Sequence, residues 1–480
     1  MTAERVLTPT PTAYRWRWPA LAALLLGEAM NLLDATIVQV AAPAIHADLG
    51  GSVSDIQWFT TAYTLPFAVL LITGGRLGDI AGRKRLFVIG VTGFMLASVA
   101  CAVATSVGLL IAFRVLQGAA AAVIIPQTIG LIKVMFAGPE VSKALGSIGP
   151  VMGLAAVCGP VLGGVLTHAD LFGSSWRAAF LVNVPLSLVV LAISPRLLEN
   201  RAPKRPTLDL TGMLLAAAGI GLVVYPLIGA DLSGLSGLSA WSWGAVVAGL
   251  CLMAVFAVHQ RVVAAAGRSP LVEPSLFAHR GFPAALVTST SFFAVTNGLM
   301  TVIVLQLQLG LGVDALKAGL TLAPWSVGLA VASWIAGAYL VKRYGHRVMA
   351  LGLAVLLAGA LSAIAVYRAA DAGSYPTPLL LALGVVGVGV GLFSPAFFTI
   401  ALKPLRPQEI GSAAGLLNAV QQLGATLGVA VLGSVYLGAA GSGSAASALR
   451  AVQMAFWGAV VLVVVSFAAS RMMVPRPRRP

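Results

Sequence analysis

The chain has 480 residues, 59% of them hydrophobic and only 9% charged, with a formal net charge of +15. Soluble domains carry roughly 25% charged and 45–50% apolar residues, so a water-soluble fold is excluded: its surface could not hide this much apolar area. The basic excess sits in short loops between apolar runs, which excludes nucleic acid as a partner and points to orientation in a lipid bilayer.

The apolar residues come in runs of about 20, the length that crosses a hydrocarbon core about 30 Å thick at about 1.5 Å per residue. In chain order they predict helices over 19–42, 57–76, 86–105, 108–133, 144–167 and 176–195, then 210–230 and 241–262. A further six follow over 282–307, 318–341, 347–367, 378–402, 411–437 and 451–471. The runs are too long, and alternate too little, for a membrane barrel. The first run has no small-residue cleavage site ahead of a soluble domain and should remain as a membrane helix.

Fourteen spans put both termini on one side. Most of the 30 basic residues fall there, among them Arg15, Arg17, Arg76, Arg83, Lys84, Arg85, Lys342, Arg343 and Arg476, whereas Arg177, Lys317, Arg368 and Arg450 fall opposite. This predicts cytoplasmic termini in a multi-pass protein of the cell (inner or plasma) membrane. Cys101, Cys158 and Cys251 lie inside apolar runs with no metal or disulfide spacing. The expected domains are a tail over 1–18, a six-helix bundle over 19–196, a linker with two additional helices over 197–280, a second six-helix bundle over 281–471 and a basic tail over 472–480.

Two segments repeat. GRLGDIAGRKR (75–85) and GAYLVKRYGHR (337–347) both place glycines and basic residues at the same end of a helix, 262 residues apart. The glycine-rich fifth and thirteenth spans, from Gly146 and Gly411, lie 265 apart. Similar offsets imply two parallel halves with an extra pair inserted, the repeat logic of many transporters.

With these residues in view the chain resembles the major facilitator superfamily, in its fourteen-helix, multidrug-efflux, drug:proton antiporter branch. The segment 75–85 is similar to that family's loop signature, with Ile80 where a basic residue is usual. LDATIVQVAAP (33–43) is similar to its first-helix signature, with Gln39 in place of Asn. RVLQG (114–118) resembles the fourth-helix arginine motif and GPVLGG (159–164) the antiporter motif of helix five. GSAAGLLNAVQQLG (411–424) resembles a late-helix motif, with Gln421 where arginine is common. The resemblance implies an all-α major facilitator fold: two six-helix bundles plus two inserted helices.

Few ionisable residues lie within the spans, and a charge at the bilayer centre costs from about 2.5 to over 10 kcal/mol. Asp34 is expected to carry a proton; the alternative is a fixed salt bridge. Arg114 stays charged at almost any depth and needs an acceptor; the resemblance implies Asp34, Gln117 or a water chain, and the alternative is snorkelling to the interface. Glu28 and Asn31 extend the polar face of Asp34 at helical spacing; Glu28 reads as a second proton site, a cation site or a carboxyl kept neutral. Gly153, Gly159, Pro160, Gly163 and Gly164 would allow close approach and bending, suited to a helix that seals against the opposite half. Asp79, with Gly75, Gly82, Arg83 and Arg85, forms a candidate gate; by resemblance Asp79 would anchor a helix N-terminus of the other half, near Gly411. Asn31, Gln39, Gln127, Asn183, Asn297, Asn418, Gln421 and Gln422 are candidates for the central cavity.

No Walker loop, zinc motif, catalytic triad or flavin fingerprint is present, so no enzyme and no cofactor are expected, and energy must come from an ion gradient, which the resemblance implies is a proton gradient. The expected partners are a small-molecule substrate and the lipid bilayer, with the chain acting as a monomer. The leading expectation is export of a small amphipathic or drug-like compound in exchange for protons. Import by proton symport is the alternative, and a non-transporting membrane receptor or scaffold a remote one.

Overall fold

In the computed structural model the described residues are 14–170, 173–199, 208–228, 239–278, 281–406, 409–441 and 444–473. The outer parts of both tails, and most of the charged linker 197–206, lie outside them. Among the described residues there are fourteen helices long and apolar enough to cross a membrane. They are α1 (Arg17–Leu49), α2 (Asp55–Ala81), α3 (Arg83–Ala102), α4 (Val107–Met135), α5 (Lys143–His168), α6 (Ser175–Arg196), α7 (Leu210–Leu227) and α8 (Ala240–Ala265). The remainder are α9 (Gly281–Gly310), α10 (Ala315–Tyr344), α11 (His346–Ala369), α12 (Leu379–Leu402), α13 (Ser412–Ala440) and α14 (Ala445–Met473). We call the face holding Arg17 and Met473 the terminal face and the opposite one the distal face.

Each predicted span is present, but α1 and α2 run five to seven residues past their apolar cores. Hydropathy marks where lipid ends; the backbone keeps its helical hydrogen bonds beyond that point. The loop after α2 shrinks to a single residue, Gly82, whose φ of +104° only glycine adopts without strain. In the matching segment of the repeat, Gly345 turns α10 into α11 in the same way, at φ +54°, one residue out of register with Gly82.

The second repeat is equally physical. A Cβ on Gly163 would sit 2.9 Å from the Ile37 carbonyl oxygen of α1, and one on Gly159 would collide with Thr36. The residues 265 further on, Gly424 and Gly428, approach Thr290 and Ala294 of α9 just as closely. In each half the glycine-rich helix therefore lies backbone to backbone on the first helix of its bundle.

The halves share their larger apolar core towards the distal face, where Ile37, Val40, Ile45 and Phe59 merge with Val295, Leu299 and Val302 of α9. A second core, around Leu24, Phe67, Phe87 and Ile132, belongs to the terminal side of the N-terminal half and takes in Ala419 of α13.

The inserted helices α7 and α8 pack on each other through Gly219 and Gly249. At the terminal face Asp209 caps the Gly212 N–H (2.8 Å) and accepts from Gln260 (2.7 Å), with His259 at 2.8 Å. Arg76 of α2 donates to the carbonyls of Ser269 and Pro270 in the connection after α8. At the distal face Ser434 of α13 donates to the Leu227 carbonyl (2.7 Å) and to Gln57 of α2 (3.2 Å). The pair is thus fastened to both halves.

Candidate functional site

Asp34 lies on α1 with no exposed surface, and three donors converge on its carboxylate. Arg114 Nη1 of α4 is 2.5 Å from Oδ2; Gln117 Nε2 of α4 and Asn183 Nδ2 of α6 are 2.8 and 2.7 Å from Oδ1. Arg114, also without exposed surface, donates through Nε to the Phe59 carbonyl (2.9 Å) and through Nη1 to Gln117 Oε1 (2.7 Å). Its guanidinium carbon lies 4.4 Å from the Tyr63 ring centroid, a cation–π contact in a dry setting. Tyr63 OH donates to Asn31 Oδ1 (3.1 Å), and Asn31 donates to the Gly27 carbonyl (2.6 Å). Ser98 of α3 accepts from both Gln117 and Asn183.

This arrangement excludes snorkelling for Arg114. It is a buried ion pair with two orphans, Arg114 Nη2 and Asn183 Oδ1, which have no hydrogen-bond partner. A buried pair gains little net stability over an apolar replacement, so unspent polar atoms beside it point to a changeable network. All partners of Asp34 are donors, so a protonated carboxyl there would find no acceptor for its hydrogen among them. Glu28 is buried beside Thr128 of α4 and forms no ion pair among the described residues.

The distal face is sealed. Gln39 Nε2 donates to Thr301 Oγ1 of α9 (3.2 Å), Gln308 Nε2 donates to the Val40 carbonyl (2.8 Å), and the Thr64 and Thr426 hydroxyls are 2.7 Å apart. A Cβ on Gly164 would sit 2.6 Å from the Ala315 carbonyl oxygen of α10, and Gly319 meets Pro160 as closely. Towards the terminal face the contacts fade: a Cβ on Gly153 would lie 3.7 Å from Ala330, and one on Gly149, Gly146 or Gly415 would meet open space. The bundle is therefore closed distally and open on the side of the termini.

Several expectations change against this geometry. Gln39 belongs to the distal seal. Gln127 has no exposed surface and donates to the Gly74 and Val123 carbonyls, so it ties α4 to α2 and lines no cavity in this state. Asn183 lines no cavity either; it holds Asp34. Asp79 accepts from Arg83 (2.5 Å) in its own half instead of reaching the start of α13, as the open terminal face requires. Arg83 also donates to the Pro126 carbonyl beside Gly75, while Arg85 is exposed. Asn297, Asn418, Gln421 and Gln422 are half-exposed. Sequence reasoning missed Ser98 and the pairs Thr64–Thr426 and Gln57–Ser434; a lone hydroxyl in an apolar run gives no signal of what it faces.

The family model for the Major Facilitator Superfamily matches residues 24–429 and 337–480. A probable actinorhodin transporter of Streptomyces coelicolor is 44% identical over 91% of this chain and 75% of its own length. The puromycin resistance protein pur8 of Streptomyces alboniger is 34% identical over 88% and 82%. The tetracenomycin C resistance and export protein of Streptomyces glaucescens is 33% identical over 87% and 75%. Among solved structures, a bacterial homolog of the human lysosomal transporter Spinster, in an inward-facing and unoccupied conformation, aligns with TM-score 0.67 at 18% identity, covering 96% of this chain and 99% of that one. At that identity the likeness speaks to the fold alone.

Proposed function

The chain belongs to the major facilitator superfamily, a family of transporters rather than enzymes, and we propose that it exports a small amphipathic compound in exchange for protons by alternating access. The observation that carries this reading is the buried Asp34–Arg114 network inside a bundle sealed at one face only. Export is supported by the relatives, which are named for the transport of, or resistance to, antibiotics. Coupling is supported by the geometry: protonating Asp34 cancels the charge that faces Arg114 and adds an O–H donor to a carboxyl already surrounded by the donors Arg114, Gln117 and Asn183, which loosens α4 and α6 from α1. Because α1 also carries Gln39 and Val40 of the distal seal, a change at Asp34 is transmitted to the seal along one rigid helix.

The direct test is substrate-induced proton release. Proteoliposomes holding the unaltered chain should release protons when an exported compound is added, and those holding Asp34→Asn should not. Release from the Asn variant would sink the coupling assignment.

The basic loops further support cytoplasmic termini. Reporter fusions at Pro480 and at Ala372, in the connection between α11 and α12, should report opposite sides of the membrane; signals on one side would contradict this orientation.

Asp79 enters as a gate. In the state closed at the terminal face its carboxylate would leave Arg83 for the first turn of α13, an anion–dipole contact worth about 0.3–1 kcal/mol exposed and up to about 2 when partly buried. Asp79→Asn should then favour the state described here and slow turnover several-fold, with ligand affinity nearly unchanged. Cysteine labelling at Gly415 should rise; unchanged labelling with normal efflux would reduce Asp79 to an ordinary partner of Arg83.

A further inference from the structure

The amides of the C-terminal half occupy one particular arc. On α13, Thr426 meets Thr64 of α2, and Ala419, seven residues earlier, is buried in the core of the N-terminal half. Gly424 and Gly428 lie on the other side of the helix, against α9. At about 100° per residue, Asn418, Gln421 and Gln422 fill the arc between these contacts on one flank, while Val420, Leu423 and Leu427 fill the other. On α9, Asn297 lies about 40° around the helix from Thr301, which meets Gln39 of α1, and about 100° from Gly298, which faces α13.

All four amides are half-exposed. The three on α13 have no hydrogen-bond partner among the described residues, and Asn297 bonds only within its own turn, to Phe293 and Thr296. A primary amide carries two donors and an acceptor, and leaving them unmet against lipid is costly. They must therefore face the space between the halves that opens at the terminal face, with the half-buried Phe293 ring one turn from Asn297.

This wall carries no charge. Helices α9, α12 and α13 contain no Asp, Glu, Lys, Arg or His. Gln421 takes a position where arginine is common in similar motifs. The positions 265 residues earlier, Gly153, Ala156 and Val157 on α5, hold no amide, so the feature belongs to one half only. Glu28, Asp34 and Arg114 are buried within the other half.

We propose that this amide arc is the ligand-recognition surface and that it takes an electrically neutral, polycyclic aromatic compound bearing carbonyl or hydroxyl groups. The inference rests on the transporter reading above and specifies its ligand. Amides donate and accept at once, matching carbonyl and hydroxyl groups without a counter-charge. A charged ligand here would be desolvated against groups that cannot neutralise it. Phe293 offers a flat apolar face to a ring. Exchanging a neutral ligand for protons also moves net charge in each cycle, so the membrane potential alone would drive it.

The test compares three probes on one ring system, with the full chain in nanodiscs and empty nanodiscs subtracted: dihydroxyanthraquinone (neutral), anthraquinone sulfonate (anionic) and trimethylammonio-anthraquinone (cationic). The neutral probe should bind saturably and at least about tenfold more tightly than either ion. Asn418→Leu and Gln422→Leu should each weaken it severalfold. Gln421→Arg should weaken the neutral probe and tighten the sulfonate, a gain that misfolding cannot mimic. Equal or tighter binding of either ion to the unaltered chain, no saturable neutral binding, or indifference to all three substitutions overturns the proposal. Neutral-selective binding without proton release would instead overturn proton coupling and leave the ligand assignment standing. Proton-coupled transport that prefers an ion would do the reverse.

Discussion

Asp34→Asn should reduce proton-coupled flux to the level of protein-free liposomes while the chain still folds and inserts. The substitution keeps size and polarity but removes the titratable proton. Its structural effect can be bounded from the network. Breaking a buried ion pair by removing one partner typically costs about 3–5 kcal/mol, because a charge is left uncompensated. Arg114 would retain the Phe59 carbonyl, Gln117 Oε1 and the face of Tyr63, so the loss should fall at or below the low end of that range. A cycle that protonates Asp34 passes through an equivalent uncharged state, which the fold must tolerate. Asp34→Leu, which offers Arg114, Gln117 and Asn183 no acceptor at all, should lower the unfolding temperature well beyond Asp34→Asn. Two equal decreases, each with full loss of flux, would mean that Asp34 is a fixed structural salt bridge and not a proton carrier.

How much of this could be read in advance differs by kind of interaction. The fourteen spans were legible because bilayer thickness sets helix length, and the two halves because their glycines recur at a constant offset. Asp34 and Arg114 stood out because ionisable groups in apolar runs are rare, and a guanidinium so placed needs an acceptor. What stayed hidden depends on rotation of a helix about its axis. Gln127 and Gln421 look alike in the sequence, each an amide inside a span, yet one ties α4 to α2 and the other is half-exposed without a partner. Periodicity could not separate them, because a helix between two halves is contacted on several sides and shows no clean apolar stripe. The conformational state was equally invisible: nothing in the segment 75–85 says whether Asp79 pairs within its own half or across to the other, and in this structure it pairs with Arg83.

Gly164→Leu should displace the protein from the distally sealed state. Gly164 belongs to the glycine-rich helix α5, but its close neighbour is α10 of the other half, whereas Gly159 and Gly163 rest on α1 of their own half. A Cβ there would stand 2.6 Å from the Ala315 carbonyl oxygen and 2.9 Å from Leu316 Cα. Both are backbone atoms at the start of a helix, so no side-chain rotation relieves the clash and the two helices must separate. Overpacking of this kind costs about 1–3 kcal/mol, and a bias of that size shifts an equilibrium between states by roughly 5- to 150-fold. The seal comes apart in any state open at the distal face, so the cost falls on the state described here and the balance moves away from it. A cysteine at Thr301, close in size to the threonine it replaces and buried in the seal beside Gln39, should become reactive to an impermeant reagent added from the distal side, a cysteine at Gly415 should lose reactivity from the terminal side, and turnover should drop. Gly149→Leu, at a position with open space beside it, provides the contrast and should leave distal labelling unchanged. If Gly164→Leu labels like the unaltered chain on both sides and transports normally, the α5–α10 contact is ordinary packing, and the distal closure must rest on the hydrogen bonds of Gln39, Gln308 and Thr64 instead.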